Sequence, residues 1–146
     1  MLKNPNNLHP YQLTRLGLTK AIQSIINNVR GLSNIEFQSN IDNIDDLFSK
    51  NSEINIYRIL QEGINNVLKH SGAKNVNVSV SLVNDLVTLK VIDDGEGFDI
   101  EKIETKGFGM QNLAKRVSLL KGTIKIKSRI ESGTKILVKI PVGSDE

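Results

Sequence analysis

The chain has 146 residues, enough for one hydrophobic core and short for two, so a single domain is expected. Hydrophobic residues at 38% and charged residues at 24% exclude the sparse, highly charged composition of a disordered chain. A net charge of +3, from 19 basic and 16 acidic residues scattered along the sequence, gives no footprint for nucleic acid or for direct membrane contact, and the absence of cysteine excludes disulfides and thiolate metal sites. No stretch approaches the roughly 20 apolar residues of a membrane span, and the opening MLKNPNNLHPYQL lacks the apolar region of a signal peptide. A cytoplasmic location is expected.

In chain order, Leu16, Leu18, Ala21, Ile22, Ile25, Ile26 and Val29 recur at near-helical spacing, with Gly31 standing where a helix would stop. Ile35, Phe37 and Ile41 predict a short strand, and Asp42 to Asn51 reads as a polar connection. Ser52 and Glu53 open a stronger predicted helix running to about Gly72, because Ile54, Ile56, Ile59, Leu60, Ile64, Val67 and Leu68 recur every three or four residues. At Asn75 the period changes to two. Val76, Val78, Val80 and Leu82 alternate with polar residues, and Leu86 to Ile92 does much the same after Asn84-Asp85, which predicts an antiparallel hairpin. The glycine- and charge-rich run Asp93 to Gly109 leads into a third helix, Met110 to Leu120, ended by Lys121-Gly122. Strands Thr123 to Arg129 and Thr134 to Pro141, joined by the turn Glu131-Ser132-Gly133, complete the set. Helices grouped with antiparallel strands predict an α+β fold: a two-layer sandwich with a mixed, mostly antiparallel sheet covered on one face by about three helices.

Three places carry candidate chemistry. On the second predicted helix Glu62, Asn66, Lys69 and His70 fall at i, i+4, i+7 and i+8, a single polar side opposite Ile56, Leu60, Ile64 and Val67. A solvated face produces such stripes, but a carboxylate, an amide, an ammonium and an imidazole in register also suit a base, an oxygen ligand for Mg²⁺ and phosphate contacts. In Asp93-Asp94-Gly95-Glu96-Gly97, acid and glycines stand where a strand ends. They suit an ordinary turn, or close backbone approach to a ligand whose amine donates to an aspartate. Gly107-Phe108-Gly109-Met110 precedes the third helix, where free backbone N–H groups and the helix dipole favour phosphate; no Walker loop or parallel Rossmann unit surrounds it. Ser132-Gly133-Thr134, opening the last strand, reads by itself as a hairpin turn.

In this order the segments resemble the ATP-binding domain of sensor histidine kinases, in the group shared with gyrase, Hsp90 and MutL. Glu62 to His70 resembles the N box, Asp93 to Gly97 the first glycine box (DxGxG), Gly107 to Asn112 the second (GxGxxN), and Thr134 the threonine of the terminal hairpin. QEGINNVLKHSGA and LHPYQLTRLGLTKAI are similar to the nitrate-sensor-like subfamily, with His9 in place of its usual arginine. The resemblance implies a Bergerat-type ATP-binding fold with ATP and Mg²⁺ as cofactors. It implies that Asn66 ligates Mg²⁺, that Glu62 acts as base or polarises the attacking imidazole, and that Lys69 and His70 contact phosphate. Asp93 would accept from the adenine amino group, with Gly95 and Gly97 shaping the pocket and Thr134 near adenine. Gly107 and Gly109 would cradle phosphate, with Phe108 and Met110 among the nucleotide-binding residues of that lid.

Residues 1–12 read as the junction to phosphoacceptor helices, 13–142 as the ATP-binding domain and 143–146 as a tail. No ELHD-like acceptor segment occurs. The expected partners are therefore a phosphoacceptor-helix domain of the full-length homodimer and a response regulator downstream, and the chain alone is expected to bind nucleotide without phosphorylating itself. Two rival readings are a stand-alone serine kinase of the anti-sigma-factor type and a non-catalytic, nucleotide-gated interaction module; the LGLTKAI junction speaks against the first, and Glu62 with Asn66 against the second.

Overall fold

The computed structural model describes residues 10–97 and 110–143, with the backbone alone for 70, 71, 110 and 111. Tyr11–Leu16 (α1), Leu18–Arg30 (α2), Glu36–Ile41 (β1), Lys50–Asn66 (α3), Asn75–Val83 (β2), Leu86–Asp93 (β3), Met110–Leu119 (α4), Thr123–Ser128 (β4) and Thr134–Pro141 (β5) follow one another along the chain. The strands form one sheet in the order β1-β2-β3-β5-β4, with β1 parallel to β2 and every other pair antiparallel. Alternation assigns Val76, Val78 and Val80, then Val87, Leu89 and Val91, then Ile136, Val138 and Ile140 to one buried face. Ile22 and Ile26 of α2, Ile56, Leu60 and Ile64 of α3, and Leu113 and Val117 of α4 close that face, giving the predicted two-layer α+β sandwich.

Local signals explain the element boundaries, including several that differ from expectation. The first predicted helix is two helices, because the chain breaks at Gly17, whose φ is +86°. The backbone N–H of Thr19 donates to Asp45 Oδ1 at 2.9 Å, and the N–H of Ile44 donates to Thr19 Oγ1 at 2.9 Å. The segment read as a plain connection thus caps α2 through Asp45 and adds the buried Ile44 to the core. Helix α3 opens at Lys50 rather than Ser52, since Ser49 is the cap: its hydroxyl accepts from the Ser52 N–H at 3.2 Å.

The end of that helix departs further. Val67–Ser71 is a π-helical turn that stops at Gly72, which is left-handed. A π turn holds more residues than an α turn, so the 100° step that joins Glu62 to Asn66 does not carry on past Asn66. Leu68, expected among the apolar repeats, is correspondingly 37% exposed. The β2–β3 hairpin turns through Asn84 and Asp85, both at positive φ, as a two-residue primed turn requires. Helix α4 ends in a Schellman arrangement with Lys121 left-handed, the Gly122 N–H reaching the Val117 carbonyl and the Lys121 N–H the Ser118 carbonyl, each at 3.0 Å.

Asp94, just past β3, staples the sheet's lower end. Its Oδ1 accepts from the backbone N–H groups of Lys74 and Asn75, and its Oδ2 from Asn75 Nδ2, all at 2.9 Å. These donors favour the ionised form and hold its carboxyl at about 2, below the ordinary 3.8. A depressed folded-state value means the stabilisation is complete above the unfolded-chain value and is lost as pH falls through the folded one. Asp94→Ala is therefore expected to lower the urea midpoint at neutral pH, with the gap to the parent narrowing between about pH 4 and about pH 2. A gap independent of pH across that window contradicts the staple.

Candidate functional site

Helix α3 delivers its polar residues to one end of the sheet. A β-carbon built on Gly63 would lie 3.5 Å from Val91 Cγ2 and 3.9 Å from Ile136 Cδ1, so the helix rests there on β3 and β5. Val91 stands two residues before Asp93, Ile136 two residues after Thr134, and Asp93 and Thr134 face each other in register. The Gly63 turn of α3 therefore rests on strand positions one pleat repeat, about 7 Å along the strands, from the Asp93–Thr134 pair. Further along, a β-carbon on Gly72 would lie 3.1 Å from Glu96 Oε2, so the end of the π turn abuts the Asp93–Gly97 segment. Glu62 and Asn66 are half-buried and Lys69 is exposed.

Asp93 occupies the position where the inward column of β3, Val87, Leu89 and Val91, would place a fourth apolar side chain. It is the one buried carboxylate among the described residues, at 7% exposure. Burial pushes its carboxyl above the ordinary range, opposed by backbone donors at Gly95 and Thr134; the Gly95 N–H reaches Oδ1 at 2.8 Å. A carboxylate held this way retains acceptor capacity for a further donor.

Two glycines lock the neighbouring turns together. Gly97 has φ +65°, and a β-carbon on it would fall 1.9 Å from the Arg129 carbonyl oxygen; Gly133 has φ +78°, and its β-carbon would fall 2.0 Å from the Asp93 carbonyl oxygen. The Glu131 N–H donates to the Glu96 carbonyl between them. Ser128 Oγ donates to the Gly133 carbonyl at 3.1 Å and lies 2.8 Å from Thr134 Oγ1, which fixes the threonine at the rim. Close backbone contact, possible only without side chains, thus ties the β4–β5 turn to the segment after Asp93.

Of the sequence-predicted residues, Asp93 and Gly95 meet by hydrogen bond, Thr134 faces Asp93 in register and Gly97 packs on the turn before Thr134, while Glu62 and Asn66 lie on α3 to either side of Gly63. Gly107, Phe108 and Gly109 lie outside the described residues, as do the side chains of His70, in the π turn, and Met110, the first residue of α4. Gly133, which suits an ordinary hairpin turn by sequence, packs on the Asp93 carbonyl; that contact depends on the β3–β5 register, for which neighbouring residues carry no signal. Arg116 of α4 was also missed. Its Nη1 donates to Asn55 Oδ1 at 3.1 Å, tying the helix that follows the second glycine segment to α3.

Fold and site define an α+β ATP-binding domain. The chain belongs to the family of histidine kinase-, DNA gyrase B- and HSP90-like ATPases, whose profile matches residues 51–144. It is 33% identical to the signal transduction histidine-protein kinase/phosphatase DegS of Bacillus subtilis over 139 residues, covering 91% of this chain and 36% of that protein. It is 31% identical to the sensor histidine kinase LiaS of the same organism over 140 residues, covering 96% and 38%. The chain thus spans less than two-fifths of the length of these relatives. The histidine kinase domain of the blue-light activated histidine kinase EL346 of Erythrobacter litoralis shares the fold at a TM-score of 0.72 and 20% identity, over 88% of this chain and 61% of that one. Among the described residues no helix is long and apolar enough to cross a membrane.

The interlocked turns make a stability prediction with an internal control. Gly143 also has positive φ, +84°, but nothing stands within 4 Å of its β-carbon position. Gly143→Ala is expected to cost about 1 kcal/mol for the left-handed backbone alone. Gly97→Ala and Gly133→Ala add a backbone collision and should cost roughly 2–5 kcal/mol in denaturant unfolding. Equal losses at all three positions would overturn the interlock.

Proposed function

We propose that the chain is the catalytic, ATP-binding domain of a two-component sensor histidine kinase of the nitrate-sensor-like kind. It passes the γ-phosphate of ATP to a histidine on a phosphoacceptor-helix domain of the same homodimer, in the cytoplasm, for onward transfer to a response regulator. One observation carries this reading: a buried carboxylate, Asp93, ends the inward column of β3 beside the helix turn that bears Glu62 and Asn66.

Asp93 accepts two backbone hydrogen bonds, and the adenine amino group supplies the donor that its remaining lone pairs lack. Thr134, directly opposite, borders the same base, and Gly95 and Gly97 let the backbone close over it. Asn66 offers a hard oxygen donor, and no cluster of three His, Cys, Asp or Glu suited to a metal occurs among the described residues. This donor set fits Mg²⁺, which takes one or two protein ligands and completes its shell with phosphate and water. Bound there, Mg²⁺ supplies charge neutralisation on the phosphates. Asn66 would hold the ion, and Lys69 and His70 would meet the phosphate oxygens. Gly107, Phe108, Gly109 and Met110 would line the lid over them. Glu62 orients the incoming imidazole so that its free nitrogen faces the γ-phosphorus, and takes the proton from the other nitrogen as charge develops. The domain's contribution is positioning and electrostatics, the usual share of the protein in phosphoryl transfer.

Incubation with a separately made phosphoacceptor-helix domain and radiolabelled ATP tests the reading: acid-labile label on that domain is expected, and acid-stable label on a serine-bearing partner would replace it with the rival kinase. Asn66→Ala should abolish Mg²⁺-dependent ATP binding in calorimetry while the circular dichroism spectrum and melting temperature stay at parental values. Normal affinity in that variant overturns the metal assignment. Asp93→Asn should weaken ATP binding by about 1–3 kcal/mol, the scale of a buried polar group left mismatched. Unchanged discrimination between ATP and GTP contradicts the adenine role.

A further inference from the structure

The sheet has a second face, away from the helices, and its charge is sorted. Outward positions on β4, β5 and β3 line up in rows across the strands. One row runs Lys125, Leu137, Lys90; the next runs Lys127, Lys135, Ile92; a third runs Thr123, Lys139, Thr88. Five of these nine positions are lysine, and no outward position on these three strands is Asp or Glu. Across β2 and β1 the same rows continue with neutral residues, Ser79 and Asn40, then Asn77 and Gln38.

Ordinary explanations account for part of this. Lysines on an edge strand block pairing with another sheet, which explains Lys125 and Lys127 on β4. It does not explain Lys90, Lys135 and Lys139, whose strands are paired on both sides. Solubility is served by mixed signs, whereas this patch has one sign. Lys127 and Lys135 stand directly opposite each other, an arrangement that costs stability in a sheet. A single-sign patch maintained against that cost fits a surface that meets negative charge.

We propose that the face of β3, β5 and β4 turned away from the helices docks a short acidic segment of a partner protein, laid across the strands along the lysine rows. Three strands by three outward positions give a footprint of about 10 Å by 14 Å, the scale of a peptide segment rather than a folded domain. Leu137 and Ile92, at the centre and edge of the rows, offer apolar contact between the cations, which suits acidic residues interleaved with aliphatic ones. A segment crossing the strands stays clear of the two ends of the patch, where the exposed Asp85 sits in the β2–β3 turn and the exposed Asp94 and Glu131 sit just past β3 and in the β4–β5 turn; a membrane plane would have to meet both ends.

The test is fluorescence anisotropy of the intact chain with a labelled peptide of alternating glutamate and leucine, against phosphatidylserine-containing vesicles and duplex DNA. The peptide should bind with an affinity that falls as salt rises. Lys90→Gln, Lys125→Gln and Lys139→Gln together should weaken it by about tenfold or more while ATP affinity stays at the parental value, so that failure here is separable from failure of the nucleotide site. No peptide binding, equal binding by the triple variant, or capture by vesicles or DNA in preference to the peptide would each overturn the proposal.

Discussion

A carboxylate at the end of an apolar strand column is the constraint on which the rest of this structure depends. Burying Asp93 removes it from water, and its backbone donors at Gly95 and Thr134 offset only part of that cost, so its carboxyl rises above the ordinary range. The surroundings must then be held rigidly enough to supply those donors. Gly97 against the Arg129 carbonyl and Gly133 against the Asp93 carbonyl do so by backbone contact that no other residue permits. Helix α3 is seated on Val91 and Ile136 through Gly63, the residue that follows Glu62. The site is therefore a consequence of where one polar residue interrupts an apolar alternation.

The adjacent pair Asp93 and Asp94 shows how far the pleat alone can separate two identical side chains. Asp93 faces the core, loses water and is pushed up; Asp94 faces out, gathers three donors and is held at about 2. One retains an acceptor for a ligand, while the other is saturated by the start of β2 and serves the fold. The same alternation sorts residues over β3, β5 and β4, apolar side chains inward beneath the helices and lysines prominent on the outward face.

Much of this was legible in the residues. The change of period at Asn75, the Asn84-Asp85 turn and the apolar repeats of α3 and α4 are local signals, and they gave the elements within a few residues. Strand order was not legible: that β1 runs parallel to β2, and that β5 inserts between β3 and β4, are long-range pairings with no trace in neighbouring residues. Gly17 broke a helix that leucine spacing alone would continue, because a glycine inside a periodic run looks tolerable until its φ is known. The π turn at Val67–Ser71 left no compositional mark either, because the residues that form it fit an α-helical repeat equally well. Asp93, Gly95 and Gly97 could be picked out by motif, whereas Gly133 and Arg116 matter through partners distant in the chain.

The central claim is that Asp93 is buried so as to receive a donor from the nucleotide, and it is tested most directly at the carboxyl carbon. A ¹³C NMR titration of Asp93 in the free domain should give a value above the ordinary 3.8, and saturating ATP should lower it, since a donated hydrogen bond favours the charged form. A carboxyl whose titration is the same with and without ATP would contradict the account.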